Sequence, residues 1–467
     1  MIEYTIKDGI RIPKKYEWVD LSSEAFREAL ETVMDRDVLT AAVTGPGGSG
    51  KSILYKMAYE MDPERTICAA STGIAAFNLA VDGVPAVTVH SALRLKPMPW
   101  YDPGKISKPT IARLMKAKTL LIDEVSMLSS NIIDHIFRQV DEVNRMRFRR
   151  SDPLRVILFG DVMQLPPVVK LDDDEKVAEL WQERYGDNVF FFNSPSYRSR
   201  YRKTIELYDV YRQENESFRD MLNSIRMGKV SRRMLDTLNE HVTGEGIFMD
   251  RMKGKGAMYL AATNRRVDEL NREYEKGFRE RGARCVSHEA YFSGDVSPAD
   301  FPTVPTEADL FLGEQVMCIA NDDSDDKLYQ NGTIGTIIDF HGRNPVVRTA
   351  DGRTFTVHRQ VFCRYRLVDD SEKGGFRTEK SGEMEMMACK PAYAVTFHKA
   401  QGLTLDAAYL DFSGWMAPGS VYLGLSRLRS IDGLGMRKPL SAGNIRTNQE
   451  ALQFFSEDRD SIPGEFF

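Results

Sequence analysis

Short apolar runs, each closing on a polar or small residue, recur along the first 200 positions. They are "VLTAAVTG" (38–45), "TICAAS" (66–71), "TLLIDE" (119–124) and "RVILFGD" (155–161). Such runs predict strands buried on both faces. Segments with helical spacing, such as "ILYKMAYEM" (53–61), lie between them. Buried strands alternating with helices make an α/β fold with a parallel sheet, because each crossover helix covers a face. Ligands of such sheets bind beyond the carboxyl ends of the strands, and each polar signature here sits at such an end.

The pattern returns after residue 200. "TIELYDVYRQ" (204–213) precedes the helical "SFRDMLNSIRMG" (217–228), and "AMYLAATN" (257–264) precedes "RRVDELNREYEKGF" (265–278). "AYAVTFHKAQG" (392–402) and "DAAYLDF" (406–412) then lead to "GSVYLGLSRLRS" (419–430). The expected organisation is a first α/β lobe over 1–200 and a second over 201–467. Two segments break the rhythm. Residues 93–118 carry four prolines between two strand patterns. Residues 329–392 contain short β-like runs separated by Gly turns, which predicts a small β-barrel inserted into the second lobe.

A chain of 467 residues exceeds one ordinary hydrophobic core, in keeping with two lobes. No apolar run approaches the roughly 18 residues of a membrane span, and the start "MIEYTIKDGIRIPKK" lacks the apolar stretch of a secretory signal. The five cysteines are scattered and contain no CxxC, which fits reduced thiols in a cytoplasm. Cys285 and His288 have ligand-like spacing but no second pair to complete a metal site. The net charge of −5 argues against coating nucleic acid by bulk charge. It leaves room for a local basic channel, since acids cluster at 171–175 and 321–326 and bases at 144–150, 197–203 and 224–233.

The candidate chemistry begins at Gly45-Pro46-Gly47-Gly48-Ser49-Gly50-Lys51-Ser52, which fits GxxxxGK[ST] at every fixed position. Glycines there let backbone N–H groups wrap phosphates, and the following helix adds its positive end. Lys51 is placed to neutralise the β- and γ-phosphates, and Ser52 to hold Mg²⁺ accompanying ATP. Asp123, at the end of "TLLID", is the second expected Mg²⁺ ligand. Glu124 beside it is placed to orient and deprotonate the attacking water. Arg212 and Arg427, both in the second lobe, are candidate arginine fingers, so hydrolysis would be coupled to lobe motion.

An ordered set of strings then resembles the PIF (petite integration frequency) DNA helicases. These are "STGIAA" (71–76), "TVHS" (88–91), "DEVSML" (123–128), "GDVMQLPPV" (160–168), "YRQ" (211–213), "ATN" (262–264), "NGTIGTI" (331–337), "TFHKAQGLTLD" (396–406) and "YLGLSR" (422–427). More distantly the chain is similar to the Dda and RecD helicases of the same 5′-to-3′ branch of superfamily 1. The resemblance implies two RecA-like lobes with ATP between them and catalysis by Lys51, Asp123, Glu124, Gln164, Arg212 and Arg427. In it Gln164 senses the γ-phosphate and Gly402 lies near the phosphates. Thr72, His90, Thr263, Asn264, Thr396 and His398 match positions lining the single-stranded DNA path. Short hydroxyls, amides and imidazoles at strand ends suit that role, because they bond phosphate oxygens without reading sequence. Aromatics such as Phe77, Trp100 or Phe397 could stack on bases, although a core position is the commoner fate of each. The resemblance makes 93–118 a wedge region and 329–392 an SH3-like barrel.

The expected activity is a DNA-stimulated ATPase that moves 5′ to 3′ on single-stranded DNA and separates duplex at a 5′ overhang or fork, working as a monomer away from membranes. Replication, recombination and repair all use such motors. The alternatives are an ATP-gated single-strand clamp and an RNA/DNA-hybrid translocase without processive unwinding. One departure bears on substrate. The family opens with a Leu-Ser/Thr-x-Glu-Gln signature whose glutamine reads adenine, whereas "LSSEA" places Ala25 there. Weakened discrimination between ATP and GTP follows as an expectation.

Overall fold

The computed structural model describes residues 3–460 apart from 96–105, 148–151, 168, 170–174, 188, 214, 253–254, 302–303, 323, 325–327, 330, 371–374, 402 and 415. It divides into two compact units. The first runs to Tyr211 and includes 365–379 and the segment from Asn448 onward; the second comprises Arg212–Arg364 and Lys380–Thr447.

The first unit is built on a six-stranded sheet. Its order is Val87–Thr88, Thr66–Ala70, Thr119–Asp123, Arg155–Gly160, Thr40–Thr44 and Lys203–Glu206. Every pairing is parallel. The strands Thr40–Thr44, Thr66–Ala70 and Arg155–Gly160 are buried at every position, as their uninterrupted apolar runs require of a sheet covered on both faces. The strand Lys203–Glu206 corrects the expected lobe boundary. It pairs with Thr40–Thr44 (Val43 opposite Ile205), so "TIELYDVY" completes the first sheet instead of opening the second lobe. An edge strand of four residues carries one buried position and no helical period, so its pattern alone cannot assign it to a sheet.

The helix Ser130–Met146 packs against the helices Lys108–Lys116 and Pro195–Arg198 and buries Ile132, Ile133, Ile136, Phe137, Val140 and Val143. It also holds the insertion at 93–118 by its polar groups. Gln139 Nε2 donates to Leu93 O at 3.2 Å. Arg147, just past the helix end, donates to Leu114 O at 2.9 Å and to Ala117 O, satisfying carbonyls at the C-terminus of the helix Lys108–Lys116. From that helix, buried Arg113 reaches Ala92 O at 2.7 Å. The tip of the insertion, with Trp100, lies outside the described residues. The helix Gln449–Asp460 also belongs to the first unit, where Phe454 stacks on Phe192 at 4.5 Å.

The second unit has a four-stranded sheet in the order Ala394–Thr396, Met258–Ala261, Ala408–Asp411, Leu434–Met436, again parallel throughout. Its antiparallel part is larger than the expected 329–392. A five-stranded sheet joins Thr354–Thr356, Asn344–Thr349, Ile334–His341, Gln315–Cys318 and Cys389–Pro391. A pair, Cys285–Glu289 with Glu307–Phe311, and a three-stranded sheet starting at Tyr291–Gly294 add to it. The antiparallel region therefore begins at Cys285. The strand Gln315–Cys318, short and followed by an acidic loop, gives little signal until its neighbours are known. Cys285 and His288 lie on one strand but leave opposite faces, Cys285 exposed and His288 buried, so their spacing does not bring them together.

Candidate functional site

In the first unit the parallel register brings the carboxyl ends of the strands level. Thr44 lies opposite Gly160 and Ala70 opposite Asp123, so the loops that follow share one end of the sheet. The glycine-rich loop leaves Thr44 and ends at Gly50, which caps the helix Lys51–Met61 with φ +93°. Two of its glycines are dictated by close approach. A Cβ on Gly45 would meet Leu207 O at 2.7 Å, and one on Gly50 would meet the Phe26 ring at 2.7 Å. Lys51 Nζ turns into the loop and donates to Gly45 O and Pro46 O, each at 2.8 Å, and to Ser49 Oγ at 3.3 Å. Ser52 is exposed on the first turn. At the loop's crown Tyr211 N donates to Gly48 O at 3.0 Å.

Asp123 ends its strand, and burial pushes its carboxyl up while the Glu124 N–H and the Lys51 ammonium draw it down. The Glu124 N–H donates to Asp123 Oδ1 at 2.9 Å. Glu124 itself stands at φ 52°, ψ 44°, in the left-handed region. Holding a non-glycine residue there costs on the order of 1–3 kcal/mol. Strain of this kind clusters where side-chain aim matters, and no sequence pattern announced it. Gln164 follows the neighbouring strand on a tight turn. It is buried, and its Nε2 donates to Asp161 Oδ2 at 3.2 Å.

Four of the six residues nominated for a DNA path follow two matching pairs of strand ends. In the first unit Ala70 lies opposite Thr88, and two residues beyond each come Thr72 and His90. In the second, Ala261 lies opposite Thr396, and two residues beyond each come Thr263 and His398. Thr72 Oγ accepts from Ala75 N at 3.1 Å and caps the helix Gly73–Val81. Thr263 Oγ accepts from Arg266 N at 3.3 Å and caps the helix Asn264–Glu280. Each hydroxyl thus serves as a helix N-cap acceptor. Burial holds the His90 imidazole below its usual range, which favours its neutral form. Asn264 and His398 are exposed, whereas Thr396 is buried and bonds Lys399 N at 3.2 Å. Phe77 and Phe397 are core residues, Phe397 stacking on Phe412 at 5.2 Å.

The two arginines of the second unit meet the same short segment. Arg212 Nη1 donates to Ser426 O at 3.2 Å. Arg427 is 1% exposed and bonds Leu423 O through Nε at 3.2 Å and Ser426 Oγ through Nη2 at 2.9 Å. Gln213, quoted within the "YRQ" string but given no role there, bonds the same segment. Gly402 lies outside the described residues.

A parallel sheet whose glycine-rich loop runs from strand to helix, beside a strand-end acid pair, defines a P-loop nucleoside triphosphatase, here with a second parallel-sheet unit. A PIF1-like helicase family model matches residues 20–235. The ATP-dependent DNA helicase Pif1 of Bdellovibrio bacteriovorus is 30% identical over 84% of this chain and 82% of its own. The chain belongs to the PIF1-like helicase family, with its two-lobe RecA-like fold. Xenopus laevis ATP-dependent DNA helicase PIF1 is 28% identical over 97% of this chain, which spans 66% of that relative's length. Among solved structures, Bacteroides sp. Pif1 in complex with ADP-AlF4 has a TM-score of 0.82 at 25% identity, covering 96% of this chain and 100% of the other. The Bacteroides helicase in complex with ADP-AlF3 and single-stranded DNA has a TM-score of 0.62 at 26% identity, covering 95% of this chain and 98% of the other.

Proposed function

We infer that this chain is an ATP-dependent DNA helicase that moves 5′ to 3′ on single-stranded DNA and separates duplex ahead of it. The observation that carries the reading is the paired arrangement of strand ends, Thr72 with His90 and Thr263 with His398, in a chain whose first sheet also holds a P-loop. Two like sites on two units are what a motor needs to hold one strand at two points. Relatives named as ATP-dependent DNA helicases and a similar structure solved with single-stranded DNA support DNA as the track.

In this reading the loop amides and Lys51 hold the triphosphate, and Glu124 orients and deprotonates the attacking water. Gln164 contacts the γ-phosphate, and Arg212 and Arg427 stabilise the charge that builds on it. Ser52 and Asp123 would hold Mg²⁺, and a half-buried carboxylate whose proton affinity is raised by desolvation is a setting that a divalent cation stabilises. When bound, that cation neutralises phosphate charge. Separating each base-pair step costs about 1.4 kcal/mol in stacking, so unwinding must draw on hydrolysis.

The test compares duplexes carrying a 5′ or a 3′ single-stranded tail. Strand separation is expected from the 5′ tail only, and it is expected to vanish in Lys51→Ala. Unwinding only from the 3′ tail would overturn the polarity, and an unwinding Lys51→Ala protein would overturn the mechanism.

The same assay run with GTP addresses Ala25. This residue sits in the first turn of the helix Glu24–Met34, half-buried against the core, and a methyl group cannot bond a purine edge. ATP and GTP are expected to support turnover within a few-fold of each other. A strong preference for ATP would show that another group reads the base.

A further inference from the structure

Gln213 is 2% exposed, in a part of the second unit that also holds both candidate arginine fingers. Its Nε2 donates to Ser426 O at 3.3 Å and to Leu428 O at 2.9 Å, the carbonyls on either side of Arg427. The backbone of the same segment is gripped by Leu405, whose N–H donates to Arg427 O at 2.8 Å and whose carbonyl accepts from Arg429 N at 3.1 Å. Position 427 is thus held by a main-chain bridge and by one side-chain amide. Arg212, adjacent in sequence to Gln213, donates to Ser426 O as well.

A carboxamide is a costly choice for a buried core position. Its Oε1 has no donor among the described residues, and an apolar side chain of the same volume would avoid that cost. Packing alone therefore does not account for glutamine here. Alignment does: one planar group spans two carbonyls and sets the backbone from which Arg427 projects, while the preceding residue is a second guanidinium.

We propose that Gln213 is a positioning residue for hydrolysis, which holds the Arg427 segment in register with Arg212 so that the two guanidiniums act together on the γ-phosphate. The proposal rests on the reading of this chain as a DNA-stimulated ATPase and adds to it a residue that touches neither nucleotide nor DNA. Gln213 lies two residues beyond Tyr211, whose N–H donates to Gly48 O of the P-loop. A short stretch of chain therefore carries both the bond to the loop and the bonds to the finger segment.

The test is a double-mutant cycle on the full chain. Gln213→Met keeps the volume and removes both donated bonds. It is expected to lower DNA-stimulated kcat at least tenfold while KM for ATP and the melting temperature stay near wild type. Combined with Arg427→Ala, it is expected to add almost nothing, because its effect passes through that arginine. Wild-type kcat in Gln213→Met, or a loss that multiplies fully with that of Arg427→Ala, overturns the proposal. If Gln213→Met fails to fold, Gln213→Asn decides: the amide is kept but falls one methylene short, so reduced kcat at unchanged melting temperature supports the role and unchanged kcat overturns it. Absence of DNA-stimulated hydrolysis in the wild-type protein overturns the underlying reading instead, and is scored separately from any variant.

Discussion

Arg427→Ala is expected to lower DNA-stimulated ATP turnover by about 10³–10⁵-fold, the range an arginine finger supplies. Phosphoryl transfer spreads charge over the γ-phosphate oxygens, and a guanidinium aimed at them stabilises the transition state more than bound ATP. The loss should therefore fall on kcat, with nucleotide affinity near wild type. Arg427 has two donors committed to its own helix end, on Leu423 O and Ser426 Oγ. A finger must exchange these bonds for phosphate oxygens, and both acceptors lie within a turn of it. Arg427→Lys is expected to recover little, because an ammonium lacks the planar fork. Steady-state turnover with saturating single-stranded DNA, beside equilibrium nucleotide binding, makes the measurement. A fall of less than tenfold in a folded variant would sink the finger assignment.

The largest expected effect on stability lies at Asp134, one turn into the helix that follows the acid pair. Asp134 is 5% exposed and accepts from Arg184 Nε at 3.2 Å and Nη2 at 3.0 Å, Tyr185 Oη at 2.8 Å, Ser196 N at 3.1 Å and the Ser194 hydroxyl. Burial pushes its carboxyl up, but the bonds from Ser194, Tyr185 and Ser196 outweigh that and hold it below the usual range. Asp134→Ala leaves the buried Tyr185 and Ser194 hydroxyls without their acceptor, while water takes over the half-exposed Arg184 guanidinium, and about 1–3 kcal/mol of stability is expected to go with it. Urea denaturation measures this, and a loss under about 1 kcal/mol would refute the hub. The pH dependence has a definite sign. A carboxyl with a depressed folded-state pKa contributes its stability above the unfolded value of about 3.9, and that contribution is lost as pH falls through the lower folded value. Asp134→Ala should therefore narrow its gap to wild type only in strong acid.

Much of the site was legible because its chemistry is local. The P-loop is eight consecutive residues whose types and order suffice to mark it, and Asp123 and Glu124 follow an apolar run that can only be a buried strand. Residues whose function depends on distant partners were not legible. Gln213 looks like an ordinary polar residue until Ser426 and Leu428, over 200 positions away, are brought to it. Asp134 reads as one acid on an amphipathic helix, and Glu124 gives no sign of its left-handed backbone. Phe77 and Phe397 take the core position that is the commoner fate of such residues, and a Phe near a motif carries no mark in the sequence of whether it faces solvent or the core.

By itself the sequence determined the α/β class, the two parallel sheets and the phosphate-holding loop. Each is encoded in periodicity or in contiguous residue types, where steric and hydrogen-bonding demands act over a few positions. Tertiary structure alone decided which sheet takes the strand Lys203–Glu206, where the antiparallel region begins and how the strand ends match in register. It alone decided that Gln213 grips the segment carrying Arg427. Those outcomes depend on pairing between segments far apart in the chain, and such pairing is set by the packing of the whole unit, not by the composition of either segment.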